Sequence, residues 1–112
     1  AHPNFKEAVV EAKEGDTMLS LKQLTAVRLL NNKFYQKVVE AENRGDSIEE
    51  LRELLGRGRA KRGMFEGNLQ EGELEIGQVS SMINEIKPVK EIIDEIISDF
   101  KIEKGRISKI KF

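Results

Sequence analysis

The chain has no cysteine and no tryptophan, and among its 112 residues it carries one histidine, one tyrosine and two prolines. Without cysteine it can build no disulfide framework, thiolate nucleophile or cysteine-ligated zinc site. No apolar run approaches the roughly 20 residues that a transmembrane helix needs. No signal-peptide pattern is present, and a cytoplasmic setting is compatible with both absences. Charge of one sign is missing as well. The 19 basic and 20 acidic residues leave a net charge of −1, which exerts no pull toward nucleic acid or an anionic membrane. Apolar residues make up 38% and aromatic residues 5%, so the expected core is thin. A chain of this size buries only about two thirds of its unfolded surface, and some of its apolar faces are expected to need a partner.

Punctuation by caps and glycines organises the chain. Asn4 with Glu7 fits a capping box opening a first helix, whose apolar face is Phe5, Ala8, Val9 and Ala12. Gly15-Asp16 ends it, and Thr17–Leu21 reads as a strand or extended segment. Leu24–Asn43 is expected to be the longest helix, with Val27, Leu30, Phe34, Val38 and Ala41 as its stripe. Gly45 suits a left-handed cap at its end. Ser47 with Glu50 makes a second capping box for a short helix that Gly56 stops. A short helix fits around Ala60–Glu66, followed by loop or extended chain over Asn68–Ile76. Val79–Ile86 is expected to be helical. Pro88 fits the first turn of a last helix striped by Val89, Ile92, Ile93, Ile96 and Ile97. Beyond it Glu103-Lys104-Gly105-Arg106 fits a hairpin turn, with apolar and polar residues alternating toward Ile110 and Phe112.

Each candidate site has an ordinary structural explanation beside it. His2 has the intrinsic pKa of a general base. It stands at the chain start, before Pro3, with no carboxylate placed near it in sequence, so a capping or surface role is favoured. Gly56-Arg57-Gly58-Arg59 could let a phosphate approach backbone and guanidinium groups. It lacks the spacing of a P-loop or dinucleotide fingerprint, and a helix stop with a solvated basic turn is favoured. Glu66, Glu71, Glu73 and Glu75 lack calcium-loop spacing and read as a solvated acidic loop. Gly77-Gln78 joins an irregular segment to an apolar helix. A glycine there would admit a ligand and a glutamine would offer it an amide, or the pair is simply loop-to-helix geometry. No nucleophile–base pair, metal cluster or cofactor fingerprint is complete.

Several stretches, taken in order, resemble one family. They are Ala1-His2-Pro3-Asn4-Phe5-Lys6-Glu7-Ala8, Asp16-Thr17, Val27 through Phe34, Glu49-Glu50-Leu51, Gly56-Arg57-Gly58-Arg59, Glu66-Gly67-Asn68, Gly77-Gln78, and Glu85 through Ile93. Together they resemble the region after the last barrel strand of the FMN-dependent enoyl-[acyl-carrier-protein] reductase II family, relatives of the nitronate monooxygenases (2-nitropropane dioxygenases). The resemblance covers residues 1–97. It implies a mostly α chain with a short strand, forming the C-terminal segment of a (β/α)8 TIM barrel and its covering helical lobe, with residues 98–112 as a tail.

The resemblance further implies an oxidoreductase of fatty acid biosynthesis, in which NAD(P)H reduces FMN and the flavin reduces an enoyl thioester. Nitronate oxidation is the alternative chemistry. The barrel's flavin-phosphate loops and catalytic histidine would lie upstream of Ala1, so this chain alone is expected to supply no catalytic and no cofactor-binding residue. It would be inactive by itself and partnered by the remainder of the barrel, with a homo-oligomer compatible. Gly77 and Gln78 match the family's Met-Ala-Gly-Gln stretch beside flavin and substrate, which makes them the expected substrate-binding residues. Glu75 and Ile76 depart from it, and so does Leu24-Thr25-Ala26, which replaces Gly-His-Pro. A freestanding helical interaction module is the competing class. A barrel segment should expose the apolar faces of Phe5–Ala12 and Val89–Ile97, whereas a self-sufficient module should bury them.

Overall fold

A computed structural model describes residues 1–111; Phe112, and with it the end of the expected alternation, lies outside the described residues. The first helix, α1 (Pro3–Glu11), is capped by His2 and not by an Asn4–Glu7 box: His2 Nδ1 accepts the Asn4 N–H at 3.2 Å. Pro3 at the first helical position makes this favourable, because its missing N–H would have had no partner there. Asn4 instead donates its side-chain amide to the Gly67 carbonyl at 3.2 Å, tying the helix start to a distant loop.

Two strands follow, β1 (Thr17–Ser20) and β2 (Val27–Leu30), paired antiparallel with Thr17 opposite Leu30. The expected helix over Leu24–Asn43 is therefore wrong over residues 24–32, nearly half of it, and at 12 residues it is not the longest helix, which is the 19-residue helix near the C-terminus. Val27-Arg28-Leu29-Leu30 carries apolar residues at both helical and strand spacing. What decides is non-local: Leu29 is 1% exposed when it pairs in the sheet. Arg28 then reaches across to donate to the Thr17 carbonyl at 2.7 Å. Between the strands Leu21 takes a positive φ of 54°, unusual for a branched residue, with its side chain wholly buried.

Helix α2 (Lys33–Arg44) begins where Asn32 accepts the Tyr35 N–H at 2.9 Å and ends at Gly45, φ 79°. It buries Phe34, Val38 and Ala41. Helix α3 (Ile48–Leu55) starts with the expected Ser47–Glu50 capping box and stops at Gly56. Phe34, Val38, Leu21 and Leu29 form the centre of the core, each large side chain contributing about 1.5–3 kcal/mol on burial.

Helix α4 (Arg59–Met64) occupies the expected place. It packs through glycine: a Cβ on Gly72 would fall on the backbone of Gly63, and a Cβ on Gly63 would meet Leu74 Cδ2 at 2.7 Å. Only hydrogen at both positions lets helix and loop backbones touch. Gln78–Met82 forms a 3₁₀ turn where a helix to Ile86 was expected. The last helix, α5, runs over Val89–Ile107, with Pro88 as its N-cap and not in its first turn. The expected hairpin at Glu103–Arg106 is absent. Gly105 is tolerated within α5, and Arg106 pairs with Glu103 at 2.7 Å one turn away.

The chain is thus mostly helical with one two-stranded sheet. It is not close-packed throughout. Its radius of gyration is 18.0 Å, against about 13 Å for a compact chain of this length. Its accessible surface is 8293 Å², against about 6,200 Å² for a compact monomer of this mass.

Candidate functional site

The segment Glu73–Gln78 emerges from the glycine contact and lies along the free edge of β2. Leu30 N–H donates to the Leu74 carbonyl at 3.0 Å and Ile76 N–H to the Arg28 carbonyl at 3.3 Å, and Glu75 forms a bridge with Leu29. Leu74, 2% exposed, anchors the segment in the core. These two hydrogen bonds, which together make the Leu29–Glu75 bridge, and the buried Leu74 therefore aim the next two residues. Gly77 and Gln78 stand exposed at the start of the 3₁₀ turn, where the Gly77 carbonyl accepts the Ser80 N–H at 3.1 Å. Gly77 has ordinary backbone angles and open space where a Cβ would go. Neither the turn nor packing inside this chain demands a glycine at 77.

Asn32 holds the loop beneath this segment. While its side-chain oxygen caps α2, its amide donates to the carbonyls of Leu69 at 2.8 Å and Gly72 at 2.9 Å. Sequence reading missed Asn32, although an Asn before a helical run is an N-cap signal.

The basic turn at 56–59 is a structural device. Arg59 donates to the carbonyls of Leu54 (3.0 Å), Leu55 (2.7 Å) and Glu71 (2.9 Å), and its guanidinium lies 4.4 Å from the Phe34 ring centroid. It satisfies carbonyls at the end of α3 that no helical N–H can reach, and it ties them to the 68–73 loop. The expected helix stop at Gly56 holds, but the turn is solvated only at Arg57; Arg59 is drawn inward because the carbonyls it satisfies have no other donor.

The acidic loop is not uniformly solvated. Glu71 pairs with Lys37 at 2.7 Å, which holds its carboxyl below the usual range. Glu73 is 7% exposed. Burial first, and then Glu75 beside it, push its carboxyl up, with Arg59 partly offsetting them.

A second feature is an apolar groove of about 270 Å³ between α1 and the entry to α5, walled by Phe5, Val9, Val10, Ile83, Ile86 and Ile92. The apolar residues of α1 are half-buried, while every residue of α5 from Val89 to Ile97 is exposed. Val89 is 75% and Ile96 58% exposed.

Among the described residues no group of three or more His, Asp or Glu side chains could hold a metal ion. No helix among them is long and apolar enough to cross a membrane. His2, its ring against Gly67 and its backbone N–H donating to the Met64 carbonyl at 2.8 Å, is a cap and a wedge. The fit to a flavin is confined to one edge. Arg59, the inward arginine of the candidate phosphate motif, is occupied by carbonyls and Arg57 points to solvent, leaving the open flank of Gly77 and the exposed Gln78. These residues could line a bound ring system; they could not hold one alone.

Solved structures similar to this chain include two forms of one protein. FabK from Thermotoga maritima is 34% identical, with a TM-score of 0.81, over 96% of this chain and 34% of FabK. A methionine-to-alanine mutant of FabK from the same organism is 36% identical, with a TM-score of 0.73, over 94% of this chain and 31% of that one. The chain spans about a third of the length of the structures it matches. No family model and no curated protein matches it.

Proposed function

We propose that the chain belongs to the FabK-like, enoyl-[acyl-carrier-protein] reductase II family, supported by its 34% identity and TM-score of 0.81 to FabK from Thermotoga maritima, and that it is the C-terminal segment of an FMN-dependent oxidoreductase that reduces enoyl thioesters with electrons from NAD(P)H. One observation carries this reading: the apolar face of α5 is uncovered along its length. A self-sufficient module of 112 residues would have buried it. The excess surface, roughly 2,000 Å² over a compact monomer, is the size of face that a missing barrel would cover.

In this reading the segment Glu73–Gln78 forms part of the substrate wall. The β2 edge fixes its direction, Gly77 lets a flat ring or thioester approach, and Gln78 offers its amide to a carbonyl oxygen. Reduced flavin supplies the hydride when bound. This chain contributes no proton donor at a defined atom, and the flavin's phosphate is held outside it. Glu75 puts a carboxylate beside that wall, where the family's pattern has methionine. Nothing in the segment favours nitronate oxidation over thioester reduction.

The test is the intact mass of the protein as isolated, with a visible spectrum of the same sample. A mass well above 12.7 kDa with a bound-flavin band and NAD(P)H-dependent loss of an enoyl thioester is the expected result. A 12.7 kDa protein without flavin, stable and monomeric, would overturn the reading.

A further inference from the structure

The carboxylates of the acidic loop are not equivalent. Glu71 is answered by Lys37 at 2.7 Å and Glu66 by Lys61 at 3.6 Å, while Glu73 is buried. Glu75 alone among them is exposed and, among the described residues, has no hydrogen bond or ion pair to its carboxylate.

Its direction follows from the backbone. Along β2 the segment is extended, and in extended chain successive side chains point to opposite faces. Leu74 enters the core, so Glu75 points away from it. Gly77 is extended as well, with φ −78° and ψ 169°. It shares the Glu75 side of the segment, about 7 Å further along. A Cβ added at Gly77 would have nothing within 4 Å. The carboxylate therefore stands at the rim of the opening that Gly77 leaves, and the fold supplies no cation for it.

In water such a carboxylate is satisfied. Under a covering barrel and a bound ligand it loses that water. A hydrocarbon chain laid against it would return no hydrogen bond. A hydroxyl on the same chain would donate to it, in a charge-assisted bond roughly twice as strong as a neutral one. A site built to hydrogen-bond a substrate group rejects the analogue that lacks it, because its own polar group is then left unpaired. We propose that Glu75 sets the substrate class of this wall: an enoyl thioester whose acyl chain carries a hydrogen-bond donor such as a hydroxyl beyond the double bond, ahead of one with a plain hydrocarbon chain. The inference rests on the reading of Glu73–Gln78 as substrate wall.

The test uses the full-length, flavin-loaded parent with hexenoyl N-acetylcysteamine thioester and its counterparts hydroxylated at each carbon beyond the double bond. In the wild type the best hydroxylated probe should exceed the plain one in kcat/KM by at least about 100-fold. Glu75→Met should reverse that order. Glu75→Gln keeps an acceptor oxygen without the charge and should fall between. Calorimetric affinities for the saturated counterparts, which cannot be reduced, should show the same order and so separate recognition from chemistry. Equal efficiencies in the wild type would overturn the proposal and leave thioester reduction standing. So would a preference that Glu75→Met leaves in place. A parent that binds no flavin and reduces neither probe would overturn the enzymatic reading and this inference together.

Discussion

Replacing Arg59 with alanine removes three hydrogen bonds to carbonyls and a cation–π contact in one step. A hydrogen bond from a charged donor is worth about 1.5–3 kcal/mol net. The side chain is 18% exposed, so water replaces part of each bond when it is lost, and about 1 kcal/mol is taken for each. The contact with Phe34 adds about 0.5–1 kcal/mol. The total is about 3–4 kcal/mol. A folding unit of this size shifts its midpoint by about 5 °C per kcal/mol, so Arg59→Ala should melt about 15–20 °C below wild type. The probe is built in. Tyr35 is the only tyrosine in a chain without tryptophan, and it lies in α2 against the core. Arg59→Lys should recover less than half of the loss, because an ammonium cannot reproduce the planar fork. Arg57→Ala should stay within about 0.5 kcal/mol. If Arg59→Ala melted within a few degrees of wild type, or no lower than Arg57→Ala, the assignment of this arginine as the clasp between α3 and the 68–73 loop would be refuted.

Two further outcomes follow from the same loop. Asn32→Asp keeps an oxygen for the Tyr35 N–H but turns it and its twin, without donors, toward the Leu69 and Gly72 carbonyls. It should cost about 2–3 kcal/mol by chemical denaturation, and a loss under 1 kcal/mol would mean that capping is the residue's sole contribution. Glu73 has a raised carboxyl, so the folded chain holds its proton to a higher pH than the unfolded chain. Its contribution to stability therefore falls as pH rises from the usual 4.5 through the raised value, and is then constant. Glu73→Gln should melt higher than wild type at pH 8, with the gap closing at pH 4; a gap that does not depend on pH would contradict the burial argument.

Elements whose signals are local were legible in the sequence. Ser47 with Glu50, Gly45, Gly56 and the short α4 are where side-chain chemistry and backbone freedom placed them. Elements decided at a distance were not. Val27–Leu30 satisfies a helical stripe in isolation, and pairing with β1 overrides it. His2 displaces Asn4 as a cap because Pro3 occupies the first helical position and the Gly67 loop claims the asparagine. Gly105 looked like a turn because glycine costs a helix about 1 kcal/mol, a cost a 19-residue helix carries. At the candidate site Gly77 and Gln78 could be singled out by residue type and resemblance. Their support could not, since Asn32 and Arg59 act on carbonyls up to 40 residues away.

The absence of any buried residue in α5 separates its melting from that of the core. Apart from the contact of its first turn with α1, this helix is held by its own backbone and charge pairs, which makes its remaining length marginal in water. Its order is then set by a coil–helix balance inside the helix, so amides of 89–107 should exchange much faster than those of α2. Whatever covers the face meets a chain that is competent for only part of the time, and its apparent affinity is scaled by that fraction. Gly105, with nothing within 4 Å of an added Cβ, holds the fraction down without touching any neighbour, and so acts on the strength of an interface to which it contributes no contact.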